Sequence, residues 1–281
     1  MERGALTPGL TPPGTPTRTA VARALLRVVG TGAADFLVPR TCAACERALD
    51  RAEEGIVCGR CWARLRWLPA PQCPRCGHPL GEKLRARAIA ASSSPITCHW
   101  CPLLPAYVRS VRSVCWVSAG SALAIVHALK YRGWHAVADG MAERMARLDW
   151  PRDVREERAA VLPVPLGADR LRERGYNQSE RLARALAARW GLPLWNACLT
   201  RTRGTRTQTR LTPQERLRNV SGAFRADTAT RELLGRHVVL VDDVVTTAAT
   251  LNACAAALFE AGARVVSYAT FGRAPATGDR R

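Results

Sequence analysis

The chain has 281 residues, 47% of them hydrophobic, which is enough for one large domain or two smaller ones with a sizeable core. The formal net charge is +19, and only Lys83 and Lys130 among the basic residues are lysines. This charge fits either a phosphate-rich partner, nucleic acid or a phosphorylated metabolite, or simply a solvated basic surface. No apolar run approaches the roughly 20 residues that span a bilayer, and no export signal is evident, so a membrane-spanning or secreted protein is not expected.

The first 35 residues are predicted to form a disordered tail that ends in the start of a short amphipathic helix. A stretch rich in Pro, Gly and Thr comes first. Val21, Leu25 and Val28 then share one helical face. A second disordered tail is expected over residues 275–281.

Eight cysteines form four Cys-x-x-Cys pairs, which are Cys42 with Cys45, Cys58 with Cys61, Cys73 with Cys76, and Cys98 with Cys101. Two such pairs supply the four sulfurs of a tetrahedral zinc site, so the sequence predicts two structural zinc ions in a small domain over residues 36–105. Sequence order assigns one ion to the first four cysteines and one to the last four, but a crossed arrangement is also possible.

A disulfide framework is the alternative, and it needs an oxidising compartment. His78 and His99 lie within the cysteine region but are expected to be bystanders, since the cysteines fill both sites. The region is predicted to be structural, with docking or nucleic-acid binding as further options. Cys115, Cys198 and Cys254 are predicted to be buried core residues.

Residues 106–274 are predicted to form an α/β domain with a mainly parallel sheet flanked by helices, because strands and helices alternate there. We expect strands over 110–119, 159–165, 192–199, 237–243 and 263–272. We expect helices over 121–133, 136–148, 177–191 and 248–261. Ligands bind such sheets at the carboxyl ends of the strands.

The stretch VVLVDDVVTTAAT (238–250) carries the main functional signal. Val238–Val241 are predicted to form a buried strand, with Asp242 and Asp243 emerging at its end. Paired carboxylates can accept hydrogen bonds from ribose hydroxyls. The helix that follows Thr246 and Thr247 can bind a phosphate through its free backbone N–H groups. The pattern therefore predicts a site for a phosphorylated sugar.

This stretch resembles the phosphoribosyl pyrophosphate (PRPP) motif of type I phosphoribosyltransferases. Together with ALKYRG, VLPVPLGADRLRERGYNQSERLARALA and RTRGTRTQTRLTPQERLRNVSGAF, it makes the chain similar to the ComF family over roughly residues 36–272. That family joins a double zinc ribbon to a phosphoribosyltransferase-like domain and is linked to DNA uptake and competence. One departure is Ala248, where the family pattern usually has glycine, and we expect its methyl group to weaken phosphate binding somewhat.

The resemblance implies a set of site residues. Asp242 and Asp243 are the candidate catalytic residues, and the PRPP-binding candidates are Asp242, Asp243, Thr246, Thr247, Ala248, Ala249, Thr250, Arg170, Arg174, Asn177 and Lys130. Magnesium is expected to accompany PRPP. A lid over the site is expected to carry Gln208, Arg216 and Asn219.

Three functions remain open from the sequence. The first is a magnesium-dependent transferase in which an unidentified acceptor displaces pyrophosphate from PRPP. The second is a cytoplasmic accessory factor that binds single-stranded DNA through the ribbons, with Trp62, Trp67 and Trp100 as candidates for base stacking. The third is a PRPP-sensing scaffold for a competence helicase.

Overall fold

A parallel β-sheet lies at the centre of the larger structural unit, residues 42–281. The computed structural model describes residues 40–49, 55–81, 98, 100–202, 222–227 and 231–275. Its strands are β1 (Val108–Trp116), β2 (Arg158–Pro163), β3 (Leu199–Arg201), β4 (Phe224–Ala226), β5 (His237–Val245) and β6 (Val265–Arg273). Its α-helices are α1 (Gly59–Ala63), α2 (Gly120–Tyr131), α3 (Val137–Ala146), α4 (Arg152–Glu157), α5 (Ala168–Arg174), α6 (Gln178–Trp190) and α7 (Ala249–Glu260).

Within the described residues, the sheet has four strands in the order β1-β6-β5-β2, and every neighbouring pair is parallel. The α/β architecture predicted from the sequence is therefore confirmed. All the carboxyl ends of these strands lie at one edge of the sheet, where ligands bind in folds of this type. Strands β3 and β4 form a separate antiparallel pair.

Different elements pack against the two faces of the sheet. Val238 and Leu240 of β5 belong to a core that also contains α7 and the β3–β4 pair. Val239 and Val241 point to the opposite face, into a core built with α2, α3 and α6. This alternation is the two-residue period of a strand that is buried on both faces.

Helix α6 shows how closely the sequence can specify an element. Asn177 is its N-cap, and the Asn177 side chain accepts a hydrogen bond from the Ser179 backbone N–H. Leu182 and Leu186 are fully buried. Gly191 ends the helix in the left-handed conformation at φ +64°.

Some predicted elements differ in the structure. The strand predicted over 192–199 is wrong for most of its length, because only a single bridge joins Leu194 to Val161 and β3 starts at Leu199. Pro193 lacks a backbone N–H and cannot donate to a regular ladder there. Helix α4 was not predicted. The expected buried cysteines are confirmed, since Cys115, Cys198 and Cys254 are at most 5% exposed.

No helix in the described part of the chain combines the length and the apolar character that crossing a bilayer requires. The predicted N-terminal helix and both predicted tails lie outside the described residues, apart from residue 275 itself.

Candidate functional site

A cavity of about 510 Å³ opens at the carboxyl end of β5. This volume is within the usual range for small-molecule sites. Ten of the predicted PRPP-site residues line it, namely Lys130, Arg170, Arg174, Asp242, Asp243, Thr246, Thr247, Ala248, Ala249 and Thr250. The fold thus brings together residues from α2, α5, β5 and α7.

Strand β5 is longer than the sequence predicted. It continues through both aspartates to Val245, two residues beyond the strand predicted over 237–243. The ladder to β6 explains the extension, because Val244 pairs with Gly272 and Val245 pairs with Arg273. Both carboxylates are therefore held on rigid backbone instead of on a loop.

Asp243 forms an ion pair with Lys130 in the wall of the cavity. The Lys130 Nζ lies 2.8 Å from Asp243 Oδ2, and the Asp243 side chain is 4% exposed. Burial alone would lower the pKa of Lys130, but the facing carboxylate of Asp243 outweighs it and raises that pKa. The lysine therefore keeps its charge, which balances one of the two buried negative charges.

Asp242 has polar partners instead of a directly contacting cation. Its Oδ1 accepts hydrogen bonds from Ser179 Oγ at 2.7 Å and from the Asp243 backbone N–H at 3.0 Å. Burial, together with the neighbouring charge of Asp243, raises the pKa of Asp242 to about 6. A carboxylate with a raised pKa in a cavity is a common feature of ligand-binding and catalytic sites.

The 246–248 loop connects β5 to α7 and closes one side of the cavity. Ala248 is the N-cap of α7 and has a φ of +60°, a conformation that favours glycine. The Thr247 Oγ1 is buried and has no hydrogen-bond partner among the described residues. The loop thus presents an unsatisfied hydroxyl beside the first backbone N–H groups of α7, which have no partner within the helix.

Arginine side chains line the cavity as well. Arg170 and Arg174 lie on helix α5, which is not among the predicted helices. Arg174 Nη1 donates to Gln178 Oε1 at 2.9 Å, and its guanidinium stacks 4.9 Å from the Tyr131 ring centre. Arg201, at the end of β3, also lines the cavity, and burial followed by the charge of Arg170 lowers its pKa.

Asn177 is placed differently from the other candidates. It is not among the residues that line the cavity. Its Nδ2 donates to the Val164 carbonyl at 3.0 Å, while its Oδ1 caps α6. In this structure the side chain fixes the start of α6, which carries Ser179, so Asn177 acts on the cavity through its neighbours.

The eight Cys-x-x-Cys cysteines gather into two groups within the described residues. The first cysteine group is Cys42, Cys45, Cys58 and Cys61, and the second cysteine group is Cys73, Cys76, Cys98 and Cys101. The pairing predicted from sequence order is therefore confirmed, and the crossed arrangement is excluded. His78 packs against Trp100 and Trp116 and belongs to neither group, whereas His99 lies outside the described residues.

The sulfur geometry of both groups fits zinc. Measured sulfur–sulfur distances are 3.8 Å for Cys42–Cys61, 3.9 Å for Cys45–Cys58, and 3.5 Å for both Cys73–Cys101 and Cys76–Cys98. A tetrahedral site with Zn–S bonds of about 2.3 Å places its sulfurs about 3.8 Å apart, whereas a disulfide bond is about 2.05 Å long. All eleven cysteines of the chain are free.

Comparison with known proteins agrees with both parts of the molecule. Residues 33–102 match the double zinc ribbon domain, and residues 171–281 match the phosphoribosyl transferase domain. The "DNA utilization protein YhgH" of Shigella flexneri is 33% identical over 243 residues, which cover 82% of this chain and 95% of that protein. The chain belongs to the ComF family.

Two proteins named for competence support the same assignment. "Competence protein ComFC" of Bacillus subtilis is 25% identical over 221 residues, covering 76% of this chain and 82% of that protein. "Competence protein F" of Haemophilus influenzae is 40% identical over 93 residues, covering 33% of this chain and 41% of that protein. As a ComF-type protein, the chain has a phosphoribosyltransferase-like domain and an N-terminal double zinc ribbon.

Sequence reasoning missed several cavity residues of this ComF-family protein. Ser179, Gln178, His127 and Arg201 all line the cavity but were not predicted. Ser179 and Gln178 follow directly after Asn177, so that stretch did hold a local signal. The predicted lid residues Gln208, Arg216 and Asn219 lie outside the described residues.

Proposed function

We propose that this ComF-family protein binds PRPP with magnesium in the cavity at the end of β5. One observation carries the proposal. A paired acid, a phosphate-binding helix start and several basic side chains converge on a single cavity of suitable volume. The separate parts are common in proteins, but together they match the ribose, the 5′-phosphate and the pyrophosphate of one ligand.

The 5′-phosphate is proposed to bind the 246–248 loop and the start of α7. Backbone N–H groups and the positive end of the helix favour an anion there. The Thr247 hydroxyl, which lacks a partner among the described residues, can donate to a phosphate oxygen. The ribose hydroxyls then reach Asp242 and Asp243, whose oxygens accept hydrogen bonds from a vicinal diol.

The pyrophosphate is proposed to face Arg170, Arg174 and Arg201. Guanidinium groups bind phosphate oxygens with two parallel hydrogen bonds, which fixes both position and orientation. Magnesium prefers oxygen ligands and binds largely through substrate phosphates and one or two carboxylates, so Asp242 and Asp243 are the protein groups that fit it. When bound, the ion would neutralise part of the charge on the leaving pyrophosphate.

Transfer of the ribosyl group is proposed as the reaction. A nucleophile would form a bond to the anomeric carbon while the bond to pyrophosphate breaks. The protein's residues would position the ligand and stabilise charge, which are the largest contributions to such reactions. Gln208, Arg216 and Asn219 stay a prediction for the lid that would exclude water.

The acceptor is proposed to enter through a second cavity of about 320 Å³ beside the first. Leu123, His127 and Tyr131 line both cavities, so the two spaces are neighbours. The side chains of Tyr131 and His127 are exposed and lie edge to face, with ring centres 5.6 Å apart. A planar heterocycle is the class of acceptor that such side chains would hold.

Calorimetric titration with PRPP and Mg²⁺ tests the binding proposal. We expect Asp242→Asn combined with Asp243→Asn to weaken binding about 100-fold or more, because each acid is assigned to the ribose and one neutralises Lys130. Asp139→Asn combined with Asp149→Asn removes the same charge from exposed positions and should change little. Unchanged PRPP affinity in the first variant would refute the proposal.

The pH dependence of binding gives an independent check. The raised pKa of Asp242, about 6, means that its carboxyl group takes up a proton as the pH falls through this value. The protonated group loses acceptor capacity for a ribose hydroxyl. We therefore expect PRPP affinity to be constant above pH 7 and to fall below about pH 6. Affinity that rises toward acid would contradict the role given to Asp242.

The cellular role is proposed to be DNA utilisation or uptake, in keeping with the names of the relatives. A cytoplasmic location is proposed because free thiolates are needed to hold zinc. The domain limits of residues 36–105 and 106–274 stay predictions.

Direct binding of single-stranded DNA is the second candidate function. Trp62 is engaged by Phe271 and Arg144, and Trp100 by His78, so they serve packing. The observation that favours DNA is the exposure of other aromatic side chains. Trp67 is 53% exposed, and at the end of α2 Tyr131 and Trp134 are 63% and 37% exposed beside Arg132. A salt-dependent affinity that drops in Trp134→Ala would support this function, whereas no binding at low salt would remove it. A helicase partner is likewise a proposal.

A further inference from the structure

The second cysteine group lies directly behind the 246–248 loop. Cys76 and Trp100 on one side, and Val245, Thr246, Thr247 and Ala248 on the other, line a small space of about 20 Å³. Cys73, Cys76 and Cys98 share one buried core with Val245, Ala248 and Ala249. The back wall of the proposed phosphate site is therefore made by the zinc ribbon.

Arg273 connects this ribbon to the strand that enters the loop. It is 7% exposed, and its Nη2 donates to the Cys76 carbonyl oxygen. On the sheet, Arg273 pairs with Val245, the last residue before the loop, and the next residue, Ala274, donates its N–H to the Val245 carbonyl at 2.9 Å. Through Arg273, the Cys76 carbonyl therefore helps to fix the position of Val245 at the start of the loop.

Asn252 makes a second connection on the far side of the loop. It lies in the first turn of α7, and its Nδ2 donates at 2.7 Å to the carbonyl of Leu103, two residues after Cys101. Its Oδ1 accepts from the buried Tyr268 hydroxyl at 3.0 Å, which fixes the amide orientation. The loop is thus bracketed by two side chains that each donate to a carbonyl of the same ribbon.

The loop needs such support because Ala248 is left-handed. A residue other than glycine holds this conformation only where its surroundings impose it. The carbonyls that Arg273 and Asn252 use lie at Cys76 and at Leu103, next to the turns that four thiolates fix around one metal ion. Loss of the metal would release both acceptors together.

We propose that the second cysteine group, through Arg273 and Asn252, positions the 246–248 loop for phosphate binding, so that zinc at this group and the ligand in the cavity stabilise each other. Thermodynamic linkage is reciprocal, so bound ligand must raise the affinity for zinc by the same factor by which zinc raises the affinity for the ligand. The ligand half of this statement rests on the proposed function, whereas the loop-positioning half does not.

Hydrogen exchange of the fully zinc-loaded protein tests the loop directly. We expect Arg273→Met to raise the exchange rate of amides 246–252 about tenfold or more, since the Cys76 carbonyl loses its buried, charged donor. Asn252→Asp keeps the acceptor for Tyr268 but removes the donor to Leu103, and should give a smaller increase. Arg264→Met is the matched control, because Arg264 precedes the other end of β6 and is exposed.

The zinc content and the thermal midpoint of each variant are measured alongside. Wild-type exchange rates at 246–252 in both Arg273→Met and Asn252→Asp, with two zinc ions retained, would overturn the proposal. If Arg273→Met fails to fold, the milder Asn252→Asp decides by the same criterion.

Zinc release to a coloured chelator tests the reciprocal half. PRPP with Mg²⁺ should slow the loss of one of the two ions about tenfold and leave the other unchanged. Calorimetry on the same sample separates the possible failures. Bound PRPP with no effect on either ion overturns the linkage, whereas absence of PRPP binding refutes the proposed function and leaves hydrogen exchange to decide whether the ribbon positions the loop.

Discussion

The two cysteine groups contain the same turn in different surroundings. In the first, Cys42 N donates to Arg47 O at 2.8 Å and Glu46 N donates to Cys42 O at 2.8 Å. In the second, Cys73 N donates to His78 O at 2.8 Å and Gly77 N donates to Cys73 O at 2.9 Å. The residue after the second cysteine is left-handed in both, with φ of +62° at Glu46 and +66° at Gly77.

The identity of that residue follows from what the turn packs against. Glu46 is exposed, and its carboxylate forms an ion pair with Arg132 at 2.7 Å. Gly77 is buried against β1, where an added Cβ would lie 2.2 Å from the Val111 carbonyl oxygen. Metal binding requires only the turn, whereas the contact with the sheet requires glycine.

The second group is also joined to the sheet by more hydrogen bonds. Ser110 Oγ and Arg112 Nη2 both donate to the Pro74 carbonyl, and Val111 N donates to the Arg75 carbonyl at 2.7 Å. The described surroundings of the first group offer mainly apolar packing, such as Trp62 against Phe271. The second group is thus hydrogen-bonded to β1 through its turn, whereas the first group packs against the sheet and its helices mainly through apolar side chains.

Substitution by alanine at the two equivalent turn positions, Glu46 and Gly77, should give the largest difference between the two cysteine groups. We expect Gly77→Ala to destabilise the protein by about 3 kcal/mol or more, because a left-handed alanine is strained and its methyl group meets backbone that cannot move. Glu46→Ala should cost less than about 1 kcal/mol, since it loses only an exposed ion pair. Denaturant unfolding of the zinc-loaded proteins measures both values.

The pair also contains its own control, because the same residue is introduced at the same turn position. Zinc content must stay at two ions for the comparison to hold. Equal losses of stability at the two positions would show that the contact with Val111 is not what requires glycine.

The rate of zinc release should also differ between the two groups, although this effect is expected to be smaller than the difference in stability. Cys45 is exposed and Cys58 partly exposed in the first group, whereas Cys73, Cys76 and Cys98 are buried in the second. A chelator reaches exposed thiolates first, so we expect two phases, with the first group losing its ion about tenfold faster. The Cys45→Ser variant assigns the phases, and survival of the fast phase in it would contradict the assignment.

The sequence allowed the metal groups to be predicted correctly because Cys-x-x-Cys spacing is a local property of one turn. Residues 237–243 were recognised as a strand, but its extension to Val245 depends on Gly272 and Arg273 in β6. These partners are about 30 residues away in the chain, so no local pattern shows the pairing. Two adjacent acidic residues are in addition unfavourable in strands, so they indicate a strand end.

The missed cavity residues have a similar cause. Arg201 reaches the cavity only because β3 pairs with β4 and both pack on α7. Ser179 reaches Asp242 only because α6 begins at the carboxyl edge of the sheet. Neither convergence leaves a periodic pattern in the sequence, whereas the requirement for glycine at residue 77 becomes visible only once Val111 is placed opposite.

Ala248 can be compared with Glu46, because these two are the non-glycine residues with positive φ among those described. Glu46 is exposed, whereas Ala248 is 8% exposed against the second group. We expect Ala248→Gly to relieve strain by about 1 kcal/mol, offset in part by greater freedom of the unfolded chain. Removal of the methyl group should also tighten PRPP binding a few-fold, which calorimetry with Mg²⁺ measures. Unchanged affinity would show that the methyl group does not crowd the phosphate and that the loop is already held in its binding conformation by the ribbon behind it.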